Sequence, residues 1–424
     1  MKRYDSYKDS GVKWLGEIPS HWEVKRLGSY FSERHVKVSD KDYAPLSVTK
    51  LGVFPQWENV AKTNDGDNRK LVKSGDFVIN SRSDRKGSSG VSDRDGSVSL
   101  INIVLQPRQT IIGRFSQYLL KSYLFIEEYY RNGRGIVADL WTTRYDEMKT
   151  IKVAIPSIKE QDAIVLYLDA TTSKIDAAIA QQQKMIDLLN ERKQIIINNA
   201  VTKGLNPNVK MKPSGVDWIG NIPEHWKIKP LKYCARTNSG STPRAISGKG
   251  TPMATIKWVR TTDLKNNHVC DTTEYLTLDE MKSASCPLLP KGTVLISMYG
   301  GEGSFGKLGL LDVEATINQA LCSINCFDEL LPEFVFFYLQ AIHPLWMKYA
   351  ASTRKDPNLN QETIKNIGIV FPSLIEQEFI VNDINSHLSR IDIALGNVIK
   401  QISLLQERKQ IIINDVVTGK VKVV

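Results

Sequence analysis

The chain has 424 residues, a formal net charge of +10, 42% hydrophobic and 24% charged residues, which suits two or three domains with real cores and excludes a mainly disordered polypeptide. No apolar run is long enough to cross a bilayer, and the start Met1-Lys-Arg-Tyr-Asp-Ser lacks the apolar centre of a signal peptide, so a cytoplasmic protein with no membrane partner is expected. The positive balance favours a polyanionic partner, while five irregularly spaced cysteines without a CxxC pair and six histidines without an HExxH motif or cluster argue against a disulfide framework or a metal site.

In chain order, the first feature is Ser10-Gly-Val-Lys-Trp-Leu-Gly-Glu-Ile-Pro-Ser-His-Trp22. Short strands are expected over 43–54, 75–80 and 98–106, then an aromatic-faced helix Ser116–Arg131 and an apolar segment Met148–Pro156. A long helix follows from Ser157 to Val201. It opens on a capping box, Ser157-Ile-Lys-Glu160, with a proline just ahead of the serine. Its residues Leu168, Thr172, Ile175, Ile179, Gln182, Ile186, Leu189, Lys193 and Ile196 alternate in steps of four and three, the seam of a heptad pattern. Gly204 lies just past the expected end, and Thr202–Pro213 reads as a linker.

The chain then repeats itself. Ser214-Gly-Val-Asp-Trp-Ile-Gly-Asn-Ile-Pro-Glu-His-Trp226 restates the opening motif. Strands at 255–260, 292–299 and 308–312, a helix Pro332–Tyr349 and an apolar segment Ile364–Pro372 lead to a second long helix, Ser373–Val417, and Gly419. Its capping box is Ser373-Leu-Ile-Glu376 and its seam is Ile384, Leu388, Ile391, Leu395, Val398, Ile402, Leu405, Lys409 and Ile412. The organisation is therefore block 1–156, helix 157–203, block 204–372, and helix with tail 373–424. Two matched seams most simply pair with each other, and the second helix must run back along the first, so the pair should be antiparallel. Ile195-Ile-Ile197 and Ile411-Ile-Ile413 are wider than a seam can bury. Ile196 and Ile412 serve the seam. Ile195, Ile197, Ile411 and Ile413 need other cover, from the neighbouring block or a partner protein, and a partner is expected.

Gly301-Glu-Gly-Ser-Phe-Gly-Lys307 matches GxGxxG, but Leu308 follows the lysine where a P-loop needs Ser or Thr, and the next segment reads as extended rather than helical. No HRD or DFG motif supports a kinase reading. A glycine-rich turn between strands is expected. Basic residues with small polar neighbours gather instead in the loops: Arg82, Arg85, Lys86, Arg134 and Arg144 in the first block, and Arg244, Arg260, Lys307, Arg354 and Lys355 in the second. Such residues suit guanine contacts and phosphate clamping. Any one of them equally suits a solvated surface, so the weight rests on the set.

With the duplicated GVxWxGxIPxHW motif, the Pro-Ser-x-x-Glu-Gln starts at Pro156–Gln161 and Pro372–Gln377, and the shared Glu-Arg-Lys-Gln-Ile-Ile-Ile-Asn at 191–198 and 407–414, the chain resembles the specificity subunit of type I restriction-modification enzymes over essentially its whole length. The resemblance implies an α+β fold: two mixed α/β target-recognition domains in pseudo-twofold arrangement, joined by two long helices forming an antiparallel coiled coil. It implies double-stranded DNA read as two half-sites, with the helices setting the gap. It also implies two docked methylation subunits carrying S-adenosylmethionine, and restriction subunits using ATP and Mg²⁺, with no catalysis or cofactor on this chain. Base-reading residues do not carry across, because the loops are where such proteins differ. A self-sufficient nuclease would need carboxylates or histidines placed for metal or acid-base work in both repeats, and the repeats duplicate none. A coiled-coil scaffold without a DNA role is the remaining rival.

Overall fold

The structure, a computed structural model, describes residues 2–56, 66–135, 141–299, 304–346 and 358–423. Both long helices form, over Ile158–Lys203 and Leu374–Val417. Their starts are made by the residues that announced them. The Ser157 and Ser373 hydroxyls each accept from the backbone N–H three residues on, at 3.4 Å, which satisfies a donor that has no partner inside the helix. The neighbouring glutamines are buried and fully used. Gln161 accepts from the Ile112 N–H and donates to Thr110 O and Pro156 O, while Gln377 accepts from the Leu331 N–H and donates to Glu329 O and Pro372 O. A buried amide with all these bonds made costs little, whereas one left open would cost about 1–3 kcal/mol.

Seam residues are buried or half-buried along the full length of both helices. The chain forms two compact units, Met1–Gln183 with Ile399–Val424, and Lys184–Val398. Each therefore contains a segment of both helices. In the first, Leu168 and Ile175 share a core with Ile412 and Val416; in the second, Ile197 and Val201 share one with Ile380 and Ile384. The two seam lysines reach across to the partner helix, Lys409 Nζ to Asp176 at 2.7 Å in the first unit and Lys193 Nζ to Asp392 at 2.7 Å in the second. As the residue number rises on one helix it falls on the other, so the segments are antiparallel, as the seam requires. These ion pairs are partly exposed and worth about 1 kcal/mol or less each. Their larger effect is on register, since sliding by a heptad would set each lysine against apolar seam residues.

The opening motifs lock the helix ends. Strand Glu23–Arg26 pairs antiparallel with Lys152–Ile155, the strand before the first helix, and Lys227–Pro230 pairs the same way with Gly368–Phe371. This brings the buried Trp22 to Glu160, whose carboxylate accepts from the indole N–H at 3.1 Å, from Tyr4 Oη–H at 2.6 Å and lies 2.9 Å from His21 Nε2. Trp226 donates to Glu376 at 3.2 Å, and His225 Nε2 lies 2.7 Å from the same carboxylate. The other face of each indole meets the glycine that ends the opposite long helix, Gly419 for Trp22 and Gly204 for Trp226.

Each block is built on a matching antiparallel sheet. Strands Ser89–Val91, Phe77–Asn80, Asn102–Pro107 and Phe31–Glu33 lie in that order in the first; Leu308–Leu311, Val294–Ser297, Leu321–Cys326 and Ala235–Ser239 repeat the order in the second. The second adds Asn267–Val269, parallel to Leu308–Leu311. Some expected elements differ in the fold. The segment 43–54 is a hairpin, Leu46–Val48 with Val53–Pro55, not one strand. The segment 98–106 straddles two strands, Gly96–Val98 and Asn102–Pro107, which lie in different sheets. The helix expected over Ser116–Arg131 is two, Gly113–Leu120 and Tyr123–Arg131, because Ser122 caps the second by accepting from the Phe125 N–H. Likewise the helix from Pro332 ends at Ile342, and a 3-10 turn containing Pro344 follows. Among the described residues no helix is long and apolar enough to cross a membrane.

Two stability predictions follow from the helix ends. Gly419 and Gly204 have φ of +75° and +72°, which costs an L side chain about 1 kcal/mol or more. A Cβ at 419 would also stand 2.7 Å from Pro19 Cγ, a rigid ring, whereas at 204 the nearest atom is Trp226 Cζ2 at 3.1 Å. Gly419→Ala should therefore destabilise by about 2–4 kcal/mol and Gly204→Ala by about half that, as read by urea unfolding of each variant. Burial would raise the Glu376 carboxyl, but hydrogen bonds from His225, Trp226 and Ser373 outweigh it and pull the group from an ordinary 4.5 down to about 2. A folded-state value below the unfolded one means its contribution is complete above pH 4.5 and is lost as pH falls through about 2. Glu376→Gln should unfold more easily at neutral pH and lose less on acidification across that window, measured by thermal melts from pH 7 to 2.

Candidate nucleic-acid interface

Three basic segments of the first block, far apart in sequence, are stitched into one surface. After strand Phe77–Asn80 the chain turns outward, and the Asn80 side-chain oxygen accepts from the Arg82 N–H at 3.0 Å. Ser83 N–H donates to Trp141 O, and Thr143 N–H to Ser81 O, each at 3.0 Å. Arg134 and Thr142 exchange backbone hydrogen bonds at 3.1 and 3.0 Å. Two tyrosines of helix Tyr123–Arg131 hold this network from below: Tyr130 Oη–H donates to Asn80 O at 3.0 Å and Tyr129 Oη–H to Thr143 O at 2.9 Å. Burial raises both phenols, Tyr130 to about 12 and Tyr129 far above the usual range. They stay protonated and remain donors at any physiological pH.

The surface so formed carries Arg82, Arg85, Lys86, Arg134 and Arg144, all exposed, and their surroundings sort them. Arg85 lies 3.7 Å from Asp84, Lys86 2.7 Å from Glu127 and Arg134 3.4 Å from Glu147. Among the described residues, no ion pair engages Arg82 or Arg144. These two line a single cleft with Ser81, Leu100, Ile101, Thr142 and Tyr145, and with two carboxylates already engaged, Glu33 by Lys70 at 3.0 Å and Asp146 by Lys149 at 2.6 Å. Lys86 faces a neighbouring cleft with Lys13, Trp14, Arg131 and Trp141.

The second block repeats the stitching with other residues. Met298 N–H donates to Ala320 O at 2.9 Å where the first block has Ser81 N–H to Ile101 O at 3.2 Å, and Leu359 N–H donates to Met298 O at 2.8 Å where the first has Thr143 to Ser81. Lys307 stands where the glycine-rich segment enters strand Leu308–Leu311, which pairs antiparallel with Val294–Ser297. The described part of that segment is thus a turn between strands with no helix after it, as expected from Leu308 onward. Gly301 to Gly303, Arg354 and Lys355 lie outside the described residues. Arg244 is exposed, and among the described residues neither it nor Lys307 has an ion pair. Arg260 is partly exposed, and its guanidinium bonds Thr273 Oγ1 at 2.9 Å and lies 3.5 Å from Glu274, so like Arg85, Lys86 and Arg134 it has a carboxylate beside it.

The isoleucines also divide. Ile197 and Ile413 are 3% and 8% exposed and belong to the cores of their units, so the neighbouring block covers them, against the expectation of a partner. Ile195 and Ile411 remain 51% and 50% exposed. Leu188 and Leu404, one heptad earlier on the same outward position, are half-exposed as well. The heptad spacing alone places the four residues of that stripe at one outward position. Leu100 and Ile101 carried no such signal, since nothing in their own sequence reveals that a backbone bond sets them beside Arg82.

Residues 223–403 match the family described as the type I restriction modification DNA specificity domain. The whole chain is similar to the putative type I restriction enzyme MjaX specificity subunit of Methanocaldococcus jannaschii, 23% identical with 98% of each chain covered. It is similar too to the type I restriction enzyme MjaVIII specificity subunit of the same organism, 23% identical over 98% of this chain and 97% of that one. Its fold is shared with a chain from a structure of the complex assembly and conformational transition of the type I R-M system, with a TM-score of 0.69, 16% identity, and 95% and 99% of the two chains covered.

Replacing both Arg82 and Arg144 with alanine should flatten the slope of log affinity for DNA against log salt by about two units, at about 0.9 for each phosphate no longer neutralised. Replacing the ion-paired Arg85 and Lys86 should change it by less than about one. Fluorescence titrations at several salt concentrations read both slopes, and equal slopes for wild type and the Arg82/Arg144 variant would remove that cleft from the interface.

Proposed function

We propose, from the premise that this chain belongs to the specificity subunits of type I restriction-modification enzymes, that each block reads one half of a bipartite site on double-stranded DNA. The observation that carries this is the duplicated stitching. Both blocks hold a loop at the same end of the same sheet by the same backbone bonds, on frameworks whose borders match, yet the side chains displayed differ. A matched frame with unmatched loops suits a reader of two different half-sites. Methyl transfer, with its S-adenosylmethionine, belongs in this reading to two methylation subunits; ATP and Mg²⁺ serve restriction subunits; and this chain, in the cytoplasm, supplies recognition alone.

The subunits dock on the outward stripe of each long helix, Leu188 with Ile195 and Leu404 with Ile411. Half-exposed apolar pairs repeated at one heptad position on both helices are the kind of surface that a partner covers. Mapping methylated bases genome-wide in cells with and without the gene tests the main reading, with a gapped two-part motif expected only when the gene is present. Cutting of DNA by the purified chain with Mg²⁺ alone would favour a nuclease instead.

Substituting serine at Leu188 and Ile195 should remove one methylation subunit from the co-expressed complex, and substituting all four residues should remove both. Native mass spectrometry counts them, and two subunits retained in the fourfold variant would sink the stripe. Inserting one heptad into both helices keeps the seam in register and adds about 10 Å. That is about three base pairs of DNA, with about 100° of rotation to absorb. The variant should methylate a site with a wider gap or lose most activity, and methylome sequencing distinguishes these from a fully active variant with the original gap, which would show that the helices are not the ruler.

A further inference from the structure

The turn entering strand Asn102–Pro107 in the first block, and strand Leu321–Cys326 in the second, is held by equivalent backbone bonds. In the first, Ser81 donates to Ile101 O through both its N–H, at 3.2 Å, and its hydroxyl, at 2.6 Å. In the second, Met298 N–H donates to Ala320 O at 2.9 Å. The residue before the bonded carbonyl is therefore Leu100 in one block and Gln319 in the other. Leu100 and Ile101 are 43% and 39% exposed and share a cleft with Arg82 and Arg144. Gln319 is exposed, and its side-chain oxygen accepts from the Thr242 hydroxyl, two residues from Arg244. One position in the frame thus presents an apolar tip in a cleft with Arg82 and Arg144 in the first block and an amide bonded by Thr242 in the second.

We propose that this turn is a base-reading element in both blocks, with different base preferences. Leu100 and Ile101 pack on the 5-methyl group of a thymine in the major groove, the one apolar group that a base edge displays there. Arg82 and Arg144 hold the neighbouring phosphates or a guanine. Gln319 reads adenine, whose N6 amino group and N7 match the acceptor and donor of a side-chain amide; the Thr242 bond restricts the amide before binding. An apolar tip and an amide at equivalent positions make the two half-sites chemically distinct. The inference rests on the bipartite reading above and deepens it.

The experiment uses the intact complex with its methylation subunits and a duplex carrying the mapped site, in which each thymine in turn is replaced by deoxyuridine. This exchange removes only the 5-methyl group. Wild type should weaken about fivefold or more at one position of the half-site read by the first block, and the Leu100→Ala, Ile101→Ala variant should be indifferent there while keeping its response elsewhere. No sensitive position in wild type, or sensitivity that persists in the variant, overturns the role of Leu100 and Ile101. In parallel, Gln319→Leu should relax one adenine of the other half-site about tenfold and leave the first half-site intact, read as the methylated motif. An unchanged motif overturns the role of Gln319. All three residues are exposed, and a melting curve with the mass of the complex verifies that each variant assembles. Failure of wild type to discriminate its site from unrelated DNA would count against the bipartite reading itself, a separate result.

Discussion

The indole of each opening motif is the constraint on which the rest depends. Trp22 is sealed between Glu160, in the first turn of one long helix, and Gly419, just past the end of the other. Trp226 stands in the same relation to Glu376 and Gly204. Burying a tryptophan in this way contributes several kcal/mol, of the order lost on truncating one to alanine, about 3–5 kcal/mol. That energy is available only when the start of one helix and the end of the other are both present. Each compact unit takes a segment of both long helices, and the first joins Met1–Gln183 to Ile399–Val424; a glycine suits each helix end because its φ is positive and because Pro19 at one end and the Trp226 ring at the other leave little room for a side chain.

Along the seam the same logic is carried by weaker terms. The apolar positions supply most of the association, while Lys193 and Lys409 contribute little energy and much selectivity. A lysine in a seam is tolerable only where its ammonium can leave the apolar stripe for a carboxylate, and Asp392 and Asp176 offer that in one register.

Rigidity is passed from this frame to loops whose side chains are free to vary. The stitches that hold the loops are backbone bonds, and buried tyrosine hydroxyls brace those of the first block. A backbone bond is indifferent to the side chain above it, so Ser81 can become Met298 and Leu100 can become Gln319 without moving the turn. The arginines sort by neighbours for an electrostatic reason. A cation in an ion pair presents less net charge to a phosphate, and among the described residues Arg82 and Arg144 have no ion pair, although Asp146 lines the same cleft.

The amino-acid sequence by itself determined what depends on neighbours along the chain: the long helices, their capping serines, their antiparallel seam and the doubled framework, because heptad spacing and capping boxes are local patterns written in residue type. It also placed basic residues in loops. It did not reveal that Ser122 would split a helix, that 98–106 would straddle two sheets, or that Glu274 and Thr273 would engage Arg260. Nor did it reveal that Ile197 and Ile413 would be buried while Ile195 and Ile411 stayed open. Those outcomes were decided by the tertiary structure, since coverage of a side chain and the pairing of a charge are set by segments tens to hundreds of residues away, whose approach is fixed only when the sheets pack on the helices.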